Sequence, residues 1–542
     1  MATDVSPQNC GPALHLRNLY NNEPFNATLR RRCLKCRAAS GSQTSYPFLL
    51  ALNYNHLHRA AAKLTQLYNS KLVGLYLGPL PAVVVNDHDT VRQVLQCSEF
   101  DGRPDLFLAR LRDEQYARRG IFFTDGDSWR EQRKFFLKTL HEYGFGRRNE
   151  TVEQDLQTGL TELIALLKDG PKHEHERAIV DGSTGYAVCP QMFFALFSNV
   201  LLRMLTATRL EREDQAVLFE VGKCSLAFHR QGDDYGLALS YIPWIRLLLP
   251  GFSRYRLLRE VNQKANGVIR SLVEKCEQTY NEDDIRCFID AYIREMRQTG
   301  SKPTSGGYAF GFECKRKREK RVIVRLKIAN PIPLPSADDQ LIIGCADFLV
   351  PAFSAIPAKL GLILERLVAH ASVVEKMYTE IDRHVGQSRL PLLDDRTHLL
   401  YCEAVLREAL RIDTLVPSGI PHVATTDTEL AGFQIPKGTL VINGLDYINH
   451  QEEVFPEPYT FRPERFLSEE GNVSHDQDRS VPFGAGKRVC AGETFARNAL
   501  FLTITTLVQQ FTFTVEHSPD PEQHLTGVIR TAADFKIKFT AR

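Results

Sequence analysis

One cysteine stands apart from the rest. The chain holds 12 cysteines, mostly in apolar stretches such as IIGCADF (342–348), where a thiol acts as an inert small hydrophobe. Cys490 instead sits in the loop FGAGKRVCAGE (483–493). Gly484 and Gly486 let the backbone turn tightly and aim N–H groups inward. Ala491 and Gly492 leave room for a flat ligand at the start of the next helix. A helix N-terminus stabilises a thiolate, and Lys487 and Arg488 add positive charge. A sulfur that stays anionic without being an exposed nucleophile is what an axial ligand of haem iron needs. Nucleophilic catalysis would want a histidine base, and the loop has none. A phosphate cradle would want G-x-x-x-x-G-K-[ST], which is absent.

Two further spacings put chemistry on one helical face. Glu408 and Arg411 are three residues apart and Trp129 and Arg133 four apart, so each pair shares a face. Taken alone, Glu408 and Arg411 form a surface ion pair worth at most ~1 kcal/mol. Trp129 alone is a core residue and Arg133 a solvent residue.

The elements that must position these groups are mainly helical. Helical periodicity dominates from about 127 to 300. A long apolar helix is expected over about 337–366, kinked by Pro351 and Pro357, because a proline removes a backbone donor and clashes one turn back. Others span about 397–412 and 491–509. Strands are fewer. LVGLYLGPLPAVVVND (72–87) reads as a hairpin around Gly78-Pro79. ELAGFQIPKGTLVIN (429–443) reads as short strands, and FTFTV and FKIKF near the C-terminus as a pair.

At 542 residues the chain is long enough for one very large domain. Its 43% hydrophobic and 24% charged residues are those of an ordinary globule, and a net charge of +2 does not suggest nucleic-acid binding. The scattered cysteines are not a disulfide framework and fit a reducing compartment. Cys33 and Cys36 lack a second ligand pair at zinc spacing. No run reaches the ~18 apolar residues of a membrane span, and the polar N-terminus lacks a signal-peptide core. Lys315 to Arg321 (KRKREKR) lies in a Gly- and Ser-rich stretch, 301–335, expected to be a solvated insertion.

Residues 483–492 match F-G-x-G-x-R-x-C-x-G at every fixed position. On this pattern the chain resembles the cytochrome P450 family. Three more of that family's motifs are present: Glu408-Ala409-Leu410-Arg411 for E-x-x-R, Phe461 to Phe466 (FRPERF) for P-E-R-F, and Trp129 to Arg133 for W-x-x-x-R. The resemblance covers about 55–542. With FDGRP (100–104) and GIFFTDGDSWREQR (120–133) it is closest to the animal microsomal branch of steroid and xenobiotic hydroxylases, in its insect members. It implies one large helical domain (46–542) with a small β-rich lobe, after an unassigned segment, 1–45.

The resemblance also implies haem b, with Cys490 as the axial ligand of the iron and Phe483 packed beside the thiolate. Trp129, Arg133, His422 and Arg488 would hold the haem propionates. Glu408, Arg411 and Arg465 would brace the haem loop as a buried network. The reaction implied is insertion of one oxygen atom from dioxygen into an apolar lipid, steroid, terpenoid or xenobiotic. Electrons would come from NADPH–cytochrome P450 reductase, with cytochrome b5 as a further donor and Lys134 and Lys487 as reductase contacts. Substrate would be lined by the 105–123 loop, the 190–245 helices, Phe348, Phe353 and Leu415–Ile420. The place implied is the cytosolic face of the endoplasmic reticulum, at the membrane surface.

Three departures matter. LERLVAHASVVEKMYTEID (364–382) fixes the register of the long helix and puts Pro351 to Ile356 where the family has A-G-x-[DE]-T-T. The proton-relaying acid becomes Ser354 and the alcohol Ala355. Proton delivery would then need Ser354 or water, so a peroxide-rearranging isomerase or dehydratase, or a weakly active haem protein that sequesters a ligand, stands as the alternative. Second, 1–45 holds neither the branch's apolar anchor nor its proline-rich hinge. Third, 301–335 has no counterpart. Both segments are expected to be gene-model errors, which transcript sequencing checks.

Overall fold

The computed structural model describes residues 56–77, 80–232, 237–298, 337–474 and 478–542. Segment 1–45, Cys33 and Cys36, the Gly78-Pro79 turn and the 301–335 stretch lie outside the described residues.

The longer helices are α1 (Leu57–Tyr68), α2 (His88–Gln96), α3 (Gly126–Glu142), α4 (Glu150–Asp169), α5 (Phe194–Thr206), α6 (Ala216–Gln231), α7 (Tyr255–Gln278), α8 (Phe288–Gln298), α9 (Ala337–Ala369), α10 (Ala371–His384), α11 (Leu400–Ile412) and α12 (Glu493–Gln510). Two of them start at side-chain caps: Asp87 accepts the Thr90 N–H at 3.1 Å before α2, and Asn149 the Val152 N–H at 3.1 Å before α4.

The strands are short: β1 (Leu72–Leu77), β2 (Leu80–Val85), β3 (Tyr186–Cys189), β4 (His422–Val423), β5 (Thr428–Leu430), β6 (Phe433–Ile435), β7 (Leu440–Asn443), β8 (Phe511–Val515), β9 (Leu525–Thr526), β10 (Arg530–Thr531) and β11 (Phe535–Ala541). β1 and β2 pair antiparallel with Leu77 opposite Leu80, as the hairpin reading requires. β2 then pairs parallel with β7, and β4 closes the order β1-β2-β7-β4. β8 and β11 pair antiparallel, Val515 opposite Ile537, and β3 flanks β11. β3 falls inside the stretch expected to be helical.

α9 is the axis of the molecule. α5, α6, α7, α11 and α12 pack on it, and its apolar side chains run through the largest core cluster. It is long and apolar enough to cross a membrane, with mean hydropathy 1.8, a run overlooked in the sequence because two prolines punctuate it; 78% of that window is buried in the protein, so it is a core helix. The helix is continuous across Pro351 and Pro357. Pro357 has no N–H, so the Phe353 carbonyl lacks its helical donor.

Asp347 ties the preceding loop to α9. Its buried carboxylate accepts the Ile121 N–H at 2.6 Å and the Phe122 N–H at 3.1 Å and pairs with Arg112. A second apolar cluster forms beneath that loop, from Leu106, Leu108, Phe123, Phe228, Val528 and Ile529 among others. Phe348 and Phe353 do not line it. Phe348 lies 5.8 Å from Phe136 and 5.3 Å from Phe145, centroid to centroid, and both α9 rings sit in the main core. Ala355, Leu415, Val416 and Ile420 do border the second cluster.

Candidate haem site

The Cys490 loop turns on its glycines. Gly484 and Gly486 take φ of +72° and +66°, and a Cβ at Gly486 would collide with the Leu95 carbonyl. The Cys490 N–H donates to the Phe483 carbonyl at 2.9 Å, closing the loop, and α12 starts three residues on. The Arg497 guanidinium lies 4.8 Å over the Phe483 ring, which packs against the main core.

Cys490 has solvent-accessible surface, yet burial pushes its pKa up. Both hold for a group on the wall of an internal cleft. The Gly492 N–H and Arg133 oppose that rise. Lys487 and Arg488 do not serve the sulfur as the loop sequence suggested. Lys487 is exposed and pairs with Asp101 at 3.6 Å, while Arg488 turns to Trp129. The protein alone therefore favours the thiol, and a cation on the sulfur is what makes it a thiolate.

Beside it lies a group of donors in excess of acceptors. The Arg488 guanidinium sits 3.4 Å over the Trp129 ring and donates to the Asp101 carbonyl from Nε at 2.9 Å and Nη2 at 2.6 Å. Burial and the Arg103 charge push it down to about 8. Arg133 Nη2 donates to the Val489 carbonyl at 2.6 Å and Arg103 Nη1 to the Pro421 carbonyl at 3.0 Å. Trp129 Nε1 is buried and has no acceptor among the described residues. His422 Nδ1 faces the Phe100 carbonyl at 2.7 Å. A carbonyl only accepts, so Nδ1 carries the hydrogen and Nε2 is bare in the neutral ring. Burial first, then Arg103, hold the His422 pKa well below its ordinary value.

Two acids lie nearby, too few for these cations, and Asp101 Oδ2 has no hydrogen-bond partner among the described residues. Asp101 faces Lys487, and Asp125 takes Arg118 at 3.4 Å and the Arg103 N–H at 2.9 Å. Three buried or half-buried arginines, an orphan indole N–H and a histidine thus converge with too few anions, one turn from an accessible thiol. This donor set fits a flat group that carries two carboxylates, as haem b does, and the accessible thiol beside it suits the group's metal. Sequence reasoning passed over Arg103, although FDGRP contained the signal.

The Glu408–Arg411 pair lies inside the protein, not on its surface. Glu408 and Arg411 are both 0% exposed. Arg411 Nε and Nη2 meet the Glu408 carboxylate at 2.8 and 2.9 Å, and Arg465 Nε joins at 3.1 Å.

The α9 turn differs from its expected part. Ser354 Oγ is 2.7 Å from His229 Nδ1 and donates to the Val350 carbonyl at 2.7 Å, wholly inside protein. It points at α6, so it is not the open proton donor its position implied. Ala355 is half-buried and borders the apolar cluster. Nothing in the sequence flagged His229.

A mainly helical fold around a cysteine loop, a buried Glu–Arg brace and a donor-rich cleft define a haem-thiolate enzyme. The cytochrome P450 family model matches residues 42–307 and 338–539, leaving out most of the basic stretch. The chain belongs to the cytochrome P450 family, of the microsomal type; it is a haem monooxygenase whose cofactor is haem b. It is 30% identical over 475 residues to the farnesoate epoxidase of Bombyx mori, covering 87% of this chain and 86% of that protein. It is 28% identical over 507 residues to cytochrome P450 2B4 of Oryctolagus cuniculus, covering 91% of each.

Proposed function

We propose that this monooxygenase acts on an apolar, lipid-like small molecule, with electrons drawn from NADPH through cytochrome P450 reductase and with cytochrome b5 as a further donor. The observation that carries the substrate class is the apolar cluster bordering Ala355. Such a wall selects by shape and apolar area and offers few polar partners. The similarity to a farnesoate epoxidase makes sesquiterpenoid acids and esters the first compounds to test.

Haem, when bound, supplies dioxygen activation. Cys490 would hold its iron. Trp129 Nε1, Arg133, Arg488, Arg103 and His422 would hold the propionates, and a carboxylate near Nε2 would draw a second proton onto His422. Glu408, Arg411 and Arg465 hold the 456–462 segment, and through it would brace the haem loop. Ala355 has no proton to give and Ser354 shares its own inside the protein, so water must carry protons at this turn.

That last observation favours a second reading, rearrangement of a substrate that brings its own O–O bond. Measuring NADPH-dependent oxygen consumption with product formation, against turnover of a fatty-acid hydroperoxide without NADPH, separates the two. Product only in the hydroperoxide arm would overturn the main proposal.

We place the enzyme on a membrane surface. Between α6 and α7, Trp244, Leu247, Leu248 and Phe252 are 60%, 64%, 69% and 61% exposed, large apolar side chains gathered in one short stretch of chain. Sedimentation with phosphatidylcholine vesicles tests it. The double variant Leu247→Ser, Leu248→Ser should release protein to the supernatant, and unchanged pelleting would refute the placement.

A further inference from the structure

The haem site leaves one buried pair unused. His229, in the last turn of α6, and Ser354, in the middle of α9, are 125 residues apart in sequence and 2.7 Å apart in space. Ser354 is 0% and His229 8% exposed. Burial pushes the His229 pKa down to about 4, against a bond to the Ser225 backbone that raises it, and the Arg112 charge adds to the fall. At neutral pH this is an uncharged ring bonded to a hydroxyl.

The main chain of His229 has a second role. Its carbonyl accepts the Val528 N–H at 2.8 Å, at the turn joining β9 and β10. Gly527 permits this approach, since a Cβ there would run into the carbonyls of His229, Arg230 and Gly232. Arg230 fastens the same hairpin, donating to Thr531 Oγ1 at 3.0 Å and to the Ala532 carbonyl at 2.8 Å. The hairpin carries Val528 and Ile529 of the apolar wall. One residue thus joins the α9 turn at the site, by its side chain, to the hairpin that shares the apolar cluster bordering Ala355, by its backbone.

We propose that His229 is a positioning residue that fixes the hairpin over the site through its bond to Ser354, and so sets the size of molecule the site admits. It touches none of the reacting atoms. The proposal rests on the haem-site reading, and the test keeps the two apart.

The probes are imidazole and the bulkier 4-phenylimidazole, whose binding to the haem-loaded full chain is followed by the Soret shift. Imidazole should bind His229→Leu, Ser354→Ala and the unsubstituted protein alike. The association rate of 4-phenylimidazole should rise about fivefold in each variant, the worth of one hydrogen bond. The double variant should show no further gain, and His229→Gln, which keeps a donor, should stay near the original rate. Equal rates for the bulky probe, or additive effects in the double variant, would overturn the proposal. A missing azole shift in the unsubstituted protein would instead overturn the haem reading. Ser354→Ala deletes one buried oxygen and guards against a misfolded histidine variant. In that variant, amide hydrogen exchange over 525–531 should quicken without any added probe. Unchanged exchange there would also count against the coupling.

Discussion

Replacing Glu408 by glutamine should cost about 3–5 kcal/mol of stability, the cost of stranding a buried charge. The magnitude follows from what converges on that carboxylate. It accepts Arg411 Nε at 2.8 Å, Arg411 Nη2 at 2.9 Å, Arg465 Nε at 3.1 Å and the Arg462 N–H at 2.9 Å. Glutamine keeps one acceptor oxygen but no charge, and beyond it Arg411 has the Asn449 carbonyl, at 2.7 Å, and the face of Phe455, 5.1 Å away. Arg411 is completely buried, so water cannot take over. Arg411→Leu should cost about as much, because Glu408 is equally buried. Arg465→Ala should cost less. It leaves the Glu408–Arg411 pair intact and forfeits mainly bonds to the carbonyls of Pro456, Glu457 and Thr460. The double variant Glu408→Leu, Arg411→Leu removes both charges and should be less destabilised than either single. Urea titrations followed by far-ultraviolet circular dichroism and by the Soret band measure all four. A loss under ~1 kcal/mol for Glu408→Gln, the range of an exposed pair, or a double variant that costs the sum of the singles, would refute the reasoning.

Three further outcomes are expected. Cys490→Ala should keep its helical circular dichroism but lose the thiolate-type carbon monoxide band after hemin reconstitution; an unchanged spectrum would exclude Cys490 as the ligand. Trp129→Phe and Arg488→Leu should each speed haem loss to apomyoglobin by roughly 10-fold or more, since a hydrogen bond to a charged group is worth about 1.5–3 kcal/mol. His229 should make stability fall with acid. Its folded pKa of about 4 lies below the ordinary 6.5, so between these values the unfolded chain binds a proton that the folded one refuses. Stability should drop as pH falls from 6.5 and level off near 4, by about 3 kcal/mol in total; urea midpoints of His229→Leu should lack that part of the slope.

How much was legible depends on the sequence distance over which each feature is built. The Cys490 loop, the Glu408–Arg411 pair and the Trp129–Arg133 pair lie within one or two turns of chain, so spacing alone placed them on common faces. The β1–β2 hairpin was legible for the same reason. Directions were not. Arg488 follows Lys487 in a basic run, but folding turns it onto Trp129, a residue hundreds of positions away, and leaves Lys487 outside. Phe348 and Phe353 look like pocket residues on an apolar helix, and only the arrangement of α5 and α12 around α9 decides that they are core. The prolines of α9 predicted a kink, and the helix runs through both of them without a break, held by packing on most sides. His229 pairs across 125 residues and leaves no periodic trace.

Charge accounts for what these pieces do together. On the side of Trp129 and Arg488 the protein has gathered more cations than Asp101 and Asp125 balance, together with an orphan N–H, a costly arrangement that an added anion relieves. Beyond α9, next to Ala355, the polar atoms of the site turn are withdrawn into bonds within the protein, and the surface left is apolar. One face therefore demands a charged, carboxylate-bearing plane and the other rejects charge. A chain that kept an acid at position 354 would need a cation or water to hold it. Ser354 with a neutral His229 needs neither, so the apolar wall extends up to the turn itself. The same substitution removes a proton donor, and the two effects cannot be separated by sequence. Restoring the donor alone, with Ala355→Thr, should raise product per NADPH if water delivery limits the reaction, and should leave the 4-phenylimidazole rate unchanged, because the His229–Ser354 bond survives.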